Sequence, residues 1–280
     1  MRTCTPDPYY HEGKTPSINA TYYRFGIIAA IDTNTKQTIS LTLEGNAAVT
    51  AGGNFGLLAP DYGKTSLALG SNTLTINGTS GFWLCNTAIV GDGIIAVNGG
   101  TVQCVYGHSN LGNVNGGEYW TLNIGVGGTL RIDNDVFLTV KNFHNGGTVV
   151  APFKDGSKWY AQGTLEVTGT LTSGNSIPIL TLGNDATIKA TGMAQEVTTT
   201  FSASGTIYVD ASEICDAVKS AEDQRIRVLT IPKTSYKDEF KSWDIDPKDG
   251  SMLRLRWLPD GDDKMALYVC RSSGTMIIVR

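Results

Sequence analysis

The feature that most constrains the fold is a short unit that keeps returning: glycine, threonine, then an apolar residue. It occurs at Gly100-Thr101-Val102, Gly128-Thr129-Leu130, Gly147-Thr148-Val149, Gly163-Thr164-Leu165, Gly169-Thr170-Leu171, Gly205-Thr206-Ile207 and Gly274-Thr275-Met276. The spacing between copies is irregular. Helical repeat arrays hold a nearly fixed period, whereas a β-solenoid tolerates coils of unequal length so long as each strand stacks on the previous one.

Between the copies run short strands with apolar residues at every second position. Examples are Leu74 and Ile76, Leu122 and Ile124, Leu130 and Ile132, Leu138 and Val140, Leu165 and Val167, and Ile207 and Val209. The alternate positions are mostly Thr, Ser, Asn or charged. That is the pattern of a strand with one face on a core and the other in water. Corners such as Asn98-Gly99-Gly100, Asn115-Gly116-Gly117 and Asn145-Gly146-Gly147 separate the strands, because Gly and Asn accept the positive φ of a sharp turn. The chain has 33 glycines among 280 residues and only 17% charged residues, which weighs further against helices. Two-residue hairpin signals do not accompany the repeat, so the expectation is an all-β chain folded as a right-handed parallel β-helix, a solenoid with coils of about twenty residues.

Both ends differ in texture. Residues 1–36, which include His11 and a cluster of prolines and tyrosines, read as an N-terminal cap over the first coil. Residues 37–210 read as the solenoid coils, and 211–280 as terminating coils that include a short helix with Ile214, Ala217, Val218 and Ala221 on one side. Further strands are expected at 227–231, 252–257, 265–270 and 275–279, with Pro259-Asp260-Gly261 as a turn between the middle two.

The Gly-Thr-apolar strands and Asn-Gly corners resemble the autotransporter-type passenger repeats of bacterial surface proteins. The closing segment from Leu267-Tyr268-Val269-Cys270-Arg271 through Gly274-Thr275-Met276 to Arg280 is similar to the ends of such chains. The resemblance implies an exported module used in adhesion, display or surface structure, with neighbouring surface-protein domains or glycans as partners. The first residues, Met1 to Pro8, carry no apolar h-region, so an export signal is expected upstream of them. No apolar stretch is long enough for a spanning helix, so membrane insertion is not expected of this segment. A formal net charge of −4 and sparse lysine and arginine argue against a nucleic-acid partner.

Few residues suggest chemistry. Gly63-Lys64-Thr65 and Gly13-Lys14-Thr15 end like phosphate-binding loops, but Leu58 and Pro8 stand where the first glycine belongs. Asp244, Asp246, Asp249 and Gly250 lack the ligand spacing of a calcium loop, and the five cysteines form no Cys-x-x-Cys pair. Neither a metal nor a cofactor is expected. A Cys85–Cys104 bridge between coils and an alternative with unpaired, buried thiols both remain open. Two carboxylates flanking a sugar would suit a polysaccharide lyase or glycoside hydrolase, the alternative to a non-catalytic role. The best pair is Asp133 and Asp135, with Arg131 beside them and Lys141 or His144 on a neighbouring coil, although Asp133-Asn134-Asp135 is also a good corner sequence. For binding, the stronger expectation is aromatic. Sugar rings stack on flat side chains, and Trp83, Tyr106, Tyr119, Trp120, Trp159 and Tyr160 are the candidates.

Overall fold

A computed structural model describes residues 25–28, 38–49, 54–58, 64–79, 81–84, 87–104, 113–115, 119–133, 135–152, 162–245 and 253–272. The chain is all-β with extensive parallel pairing, and Cys215–Ser220 is its single α-helix among the described residues. It divides into two compact units, Met1–Thr168 and Gly169–Arg280.

In the first unit the strands belong to three parallel sheets, and each strand pairs with the one three further along the chain. Thr101–Cys104 lies between Gly81–Leu84 and Thr129–Ile132, and Thr129–Ile132 pairs in turn with Thr148–Val150. The register carries Phe82, Val102, Leu130 and Val149 into one row, and all four are buried. A second row, in another sheet, runs Leu74, Ile95, Leu122 and Phe143 and is equally buried. A one-residue slip would turn either row outward, so the apolar alternation itself fixes the register. Polar residues also enter the interior, Asn145 among them, and two of these meet: Thr65 and Thr87 are register partners and their hydroxyls lie 2.7 Å apart.

In five copies of the repeat the glycine stands just before a strand that the threonine opens, at Thr101, Thr129, Thr148, Thr164 and Thr170; after Gly205 the strand begins only at Tyr208, and Gly274 lies outside the described residues. Thr101, Thr129 and Thr148 stand in register, with the Thr129 amide donating to the Gly100 carbonyl and the Thr148 amide to that of Gly128. A Cβ on Gly147 would come within 2.6 Å of both the Gly125 carbonyl oxygen and an Ile124 methyl, so no larger residue fits there. Residues 25–28, inside the segment expected to be a cap, form a strand paired in parallel with Asn54–Leu58. The rest of residues 1–36 lies outside the described residues.

The second unit begins in the same manner. Thr170–Thr172, Thr187–Lys189, Tyr208–Asp210 and Asp244–Ile245 pair successively in parallel, as do Ile177–Leu182, Gln195–Ala203 and Arg225–Pro232. The helix Cys215–Ser220 buries Val218, and Ile214 just before it is buried too, whereas Ala217, expected on the same apolar side, is exposed. Phe201, Tyr236, Phe240, Trp243 and Trp257 build an aromatic cluster with successive ring centroids 5.0–6.1 Å apart.

The close of the unit departs from the expected coils. Leu253–Pro259 and Lys264–Arg271 form an antiparallel hairpin, and Lys264–Arg271 also pairs antiparallel with Arg225–Pro232. Gly261 at φ +77° closes the tight turn, with the Asp260 amide donating to Lys264. A short turn of this kind can only return the chain antiparallel, because a parallel partner needs a longer crossover. The strand expected at 275–279 lies outside the described residues.

Candidate functional site

The carboxylate pair comes apart. Arg131 is exposed on its strand between Gln103 and Val150. Asp133 ends that strand: its carbonyl accepts from the Val136 amide at 3.2 Å, and Asp135 lies at φ +57°, a left-handed corner conformation. Asp133 and Asp135 therefore do not share a strand face. The two Asp133 oxygens are both engaged, Oδ1 by Arg131 Nε at 2.7 Å and Oδ2 by Gln103 Nε2 at 3.0 Å. Such a carboxylate ties a corner to its own strand and to the neighbouring strand Thr101–Cys104. His144 is carried by a different sheet, where it pairs with Asn123, and Lys141 lies 5.7 Å from the centre of the Tyr119 ring. An acid and a base facing each other across a sugar are not assembled from these residues.

The aromatic candidates scatter in the same way. Tyr119 is 58% exposed, whereas its neighbour Trp120 is fully buried with Nε1 donating to the Thr139 carbonyl at 3.0 Å. Trp120 is therefore a core residue and not a sugar platform: its indole fills the interior and has its donor satisfied there. Trp83 is half-buried, in register between Gly56 and Gln103. Tyr106, Trp159 and Tyr160 lie outside the described residues, as do Cys85, His11 and residues 246–250 of the acidic segment. Cys104 is buried in the ladder between Leu84 and Ile132. Among the described residues no three His, Cys, Asp or Glu side chains cluster as metal ligands, and no helix is long and apolar enough to cross a membrane.

A cluster of arginines lies in the second unit, on the antiparallel sheet. Antiparallel partners share a face. Cys270 is opposite Arg225 on one side and Arg254 on the other, and Tyr268 is opposite Arg227 and Arg256. Four arginines thus occupy two rows on one face, with Tyr268 and Cys270 down the centre. All four are exposed. The Arg225 guanidinium lies 5.0 Å from the Tyr268 ring centre, so the ring holds it over the middle strand. Arg225 also pairs with Asp223 at 2.6 Å, and Arg227 with Asp260 at 2.7 Å. Among the described residues Arg254 and Arg256 enter no ion pair. Burial pushes the Cys270 thiol up, and Arg256, Arg254 and Arg225 pull it back by less, which places three guanidiniums within electrostatic reach of one sulfur.

The sequence reading passed over these arginines because it weighed net charge. Their signal is local: Arg225-Ile226-Arg227 and Arg254-Leu255-Arg256 are two period-two alternations of arginine with an apolar residue. Comparison with protein-family models, curated proteins and solved structures finds no match to this chain.

Proposed function

We propose that the chain is a right-handed parallel β-solenoid acting as a non-catalytic structural, adhesive or display module of a secreted or cell-surface protein, of the autotransporter-passenger type. The observation that carries this reading is the register of the first unit, where each strand pairs in parallel with the strand three further along. A ribbon wound in this way satisfies its backbone hydrogen bonds from coil to coil and leaves outward side chains to meet glycans or neighbouring domains. The right hand follows from the strong preference of parallel crossovers for that sense. The engagement of Asp133 by Arg131 and Gln103 supports a structural rather than catalytic carboxylate.

The test is incubation with acidic and neutral polysaccharides while reducing ends and unsaturated products are followed. No turnover is expected. Turnover that disappears in Asp133→Asn would replace the module with a β-helix lyase or hydrolase.

A further inference from the structure

We infer that the arginine face of the antiparallel sheet binds acidic polysaccharides, through the carboxylate or sulfate groups of a linear chain. The inference goes beyond the module reading and does not need the solenoid, because it rests on Arg225–Pro232, Lys264–Arg271 and Leu253–Pro259 alone.

The argument is one of charge, spacing and access. In a protein of net charge −4, four guanidiniums on two facing rows are a local excess. Two are neutralised by Asp223 and Asp260, so the surplus belongs to Arg254 and Arg256. Among the described residues Leu253–Pro259 is the last strand of its sheet, and the Arg254 and Arg256 side chains on it are exposed. Two residues apart on a strand, their Cα atoms are separated by about 6.8 Å. A guanidinium takes a carboxylate or sulfate through two parallel N–H bonds, a geometry that an ammonium cannot reproduce. Tyr268 stands between the rows, half-buried, with Arg225 packed on its ring. The ring thus orders one guanidinium of the face through a cation–π contact.

The footprint favours a thin polyanion over a duplex. Three strands span only about 10 Å from the first to the third. Proteins that hold duplex DNA neutralise on the order of six to ten phosphates along a broad basic stripe. Here the surplus is two charges, because Arg225 and Arg227 are already paired with Asp223 and Asp260. A single polysaccharide strand with separated anionic groups suits that arrangement.

The experiment measures binding of the full chain to polygalacturonate, dextran sulfate, neutral dextran and a 20-base-pair DNA duplex by affinity electrophoresis and calorimetry at several salt concentrations. Binding to at least one of the two acidic polysaccharides and not to dextran is expected; the two acidic arms separate carboxylate from sulfate recognition. The double variant Arg254→Gln, Arg256→Gln is expected to weaken that binding by about ten- to a hundredfold and to reduce its salt slope by about two. Arg254→Lys, Arg256→Lys keeps both charges without the fork and is expected to lose several-fold, which keeps the test decisive should the glutamine variant not fold. Acidic polysaccharides bound no better than dextran, or variants that bind like the parent, overturn the inference. Tighter binding of the duplex, lost in the same variants, overturns it in favour of nucleic acid.

Discussion

Thr65 and Thr87 are buried register partners on adjacent parallel strands, and their hydroxyls lie 2.7 Å apart. The pair ties two adjacent strands through their side chains as well as their backbones. Replacing Thr65 by Val removes one end of a buried hydrogen bond and is expected to cost about 1–3 kcal/mol of stability. Replacing both by Val removes both ends of the bond together, so the double variant should lose less than the two single losses combined. Chemical denaturation of the parent, both singles and the double measures this coupling.

A corner glycine is expected to be far less replaceable than a loop glycine. Gly147→Ala forces a methyl against the Gly125 carbonyl and Ile124, and should cost about 1–3 kcal/mol or more. Gly45, where an added Cβ meets nothing within 4 Å, should accept alanine within about 0.5 kcal/mol. Thermal melts of the two variants give the comparison directly.

Tyr119 and Trp120 are chain neighbours with opposite fates. Trp120→Ala removes a fully buried indole and should cost about 3–5 kcal/mol. Tyr119→Ala, at a 58% exposed site, should change stability by about 0.5 kcal/mol or less. Equal losses would contradict the alternation that puts one residue in the core and the next in solvent.

The cysteines should differ in alkylation. Burial raises the Cys270 thiol and its side chain is almost fully covered, whereas Cys215 is half-buried at the start of the helix. Iodoacetamide on the native chain at mildly alkaline pH, followed by peptide mapping, is expected to label Cys215 well before Cys270. The raised thiol also sets a sign. Its contribution to stability is intact below the ordinary thiol range and is lost as pH rises through the folded value, because the unfolded state ionises first.

The parallel core was readable because period-two alternation and corner glycines are local features. Leu122, Ile124, Leu130 and Ile132 are buried as their spacing requires, and the Gly-Thr units at Thr101, Thr129 and Thr148 are corners followed by the first rung of a ladder. The closing hairpin was less readable. Pro259-Asp260-Gly261 was legible as a turn, but whether strands on either side of it pair with each other or with earlier strands is a non-local outcome. Asp133 and Asp135 misled for the same reason, since two residues apart means one face only while the strand continues, and Asp135 turns at φ +57°. The arginine face was invisible to a charge count, because Arg225 and Arg254 are brought together only through Cys270 on the strand between them.

The central claim is that strands three apart along the chain lie side by side in parallel and in register. Methyl-labelled NMR spectra of the full chain test it most directly, through contacts among Val102, Leu130 and Val149. The account predicts strong cross-peaks from the Leu130 methyls to those of both Val102 and Val149. Their absence, with Leu130 instead meeting the methyls of a strand adjacent in sequence as an antiparallel hairpin would require, would contradict it.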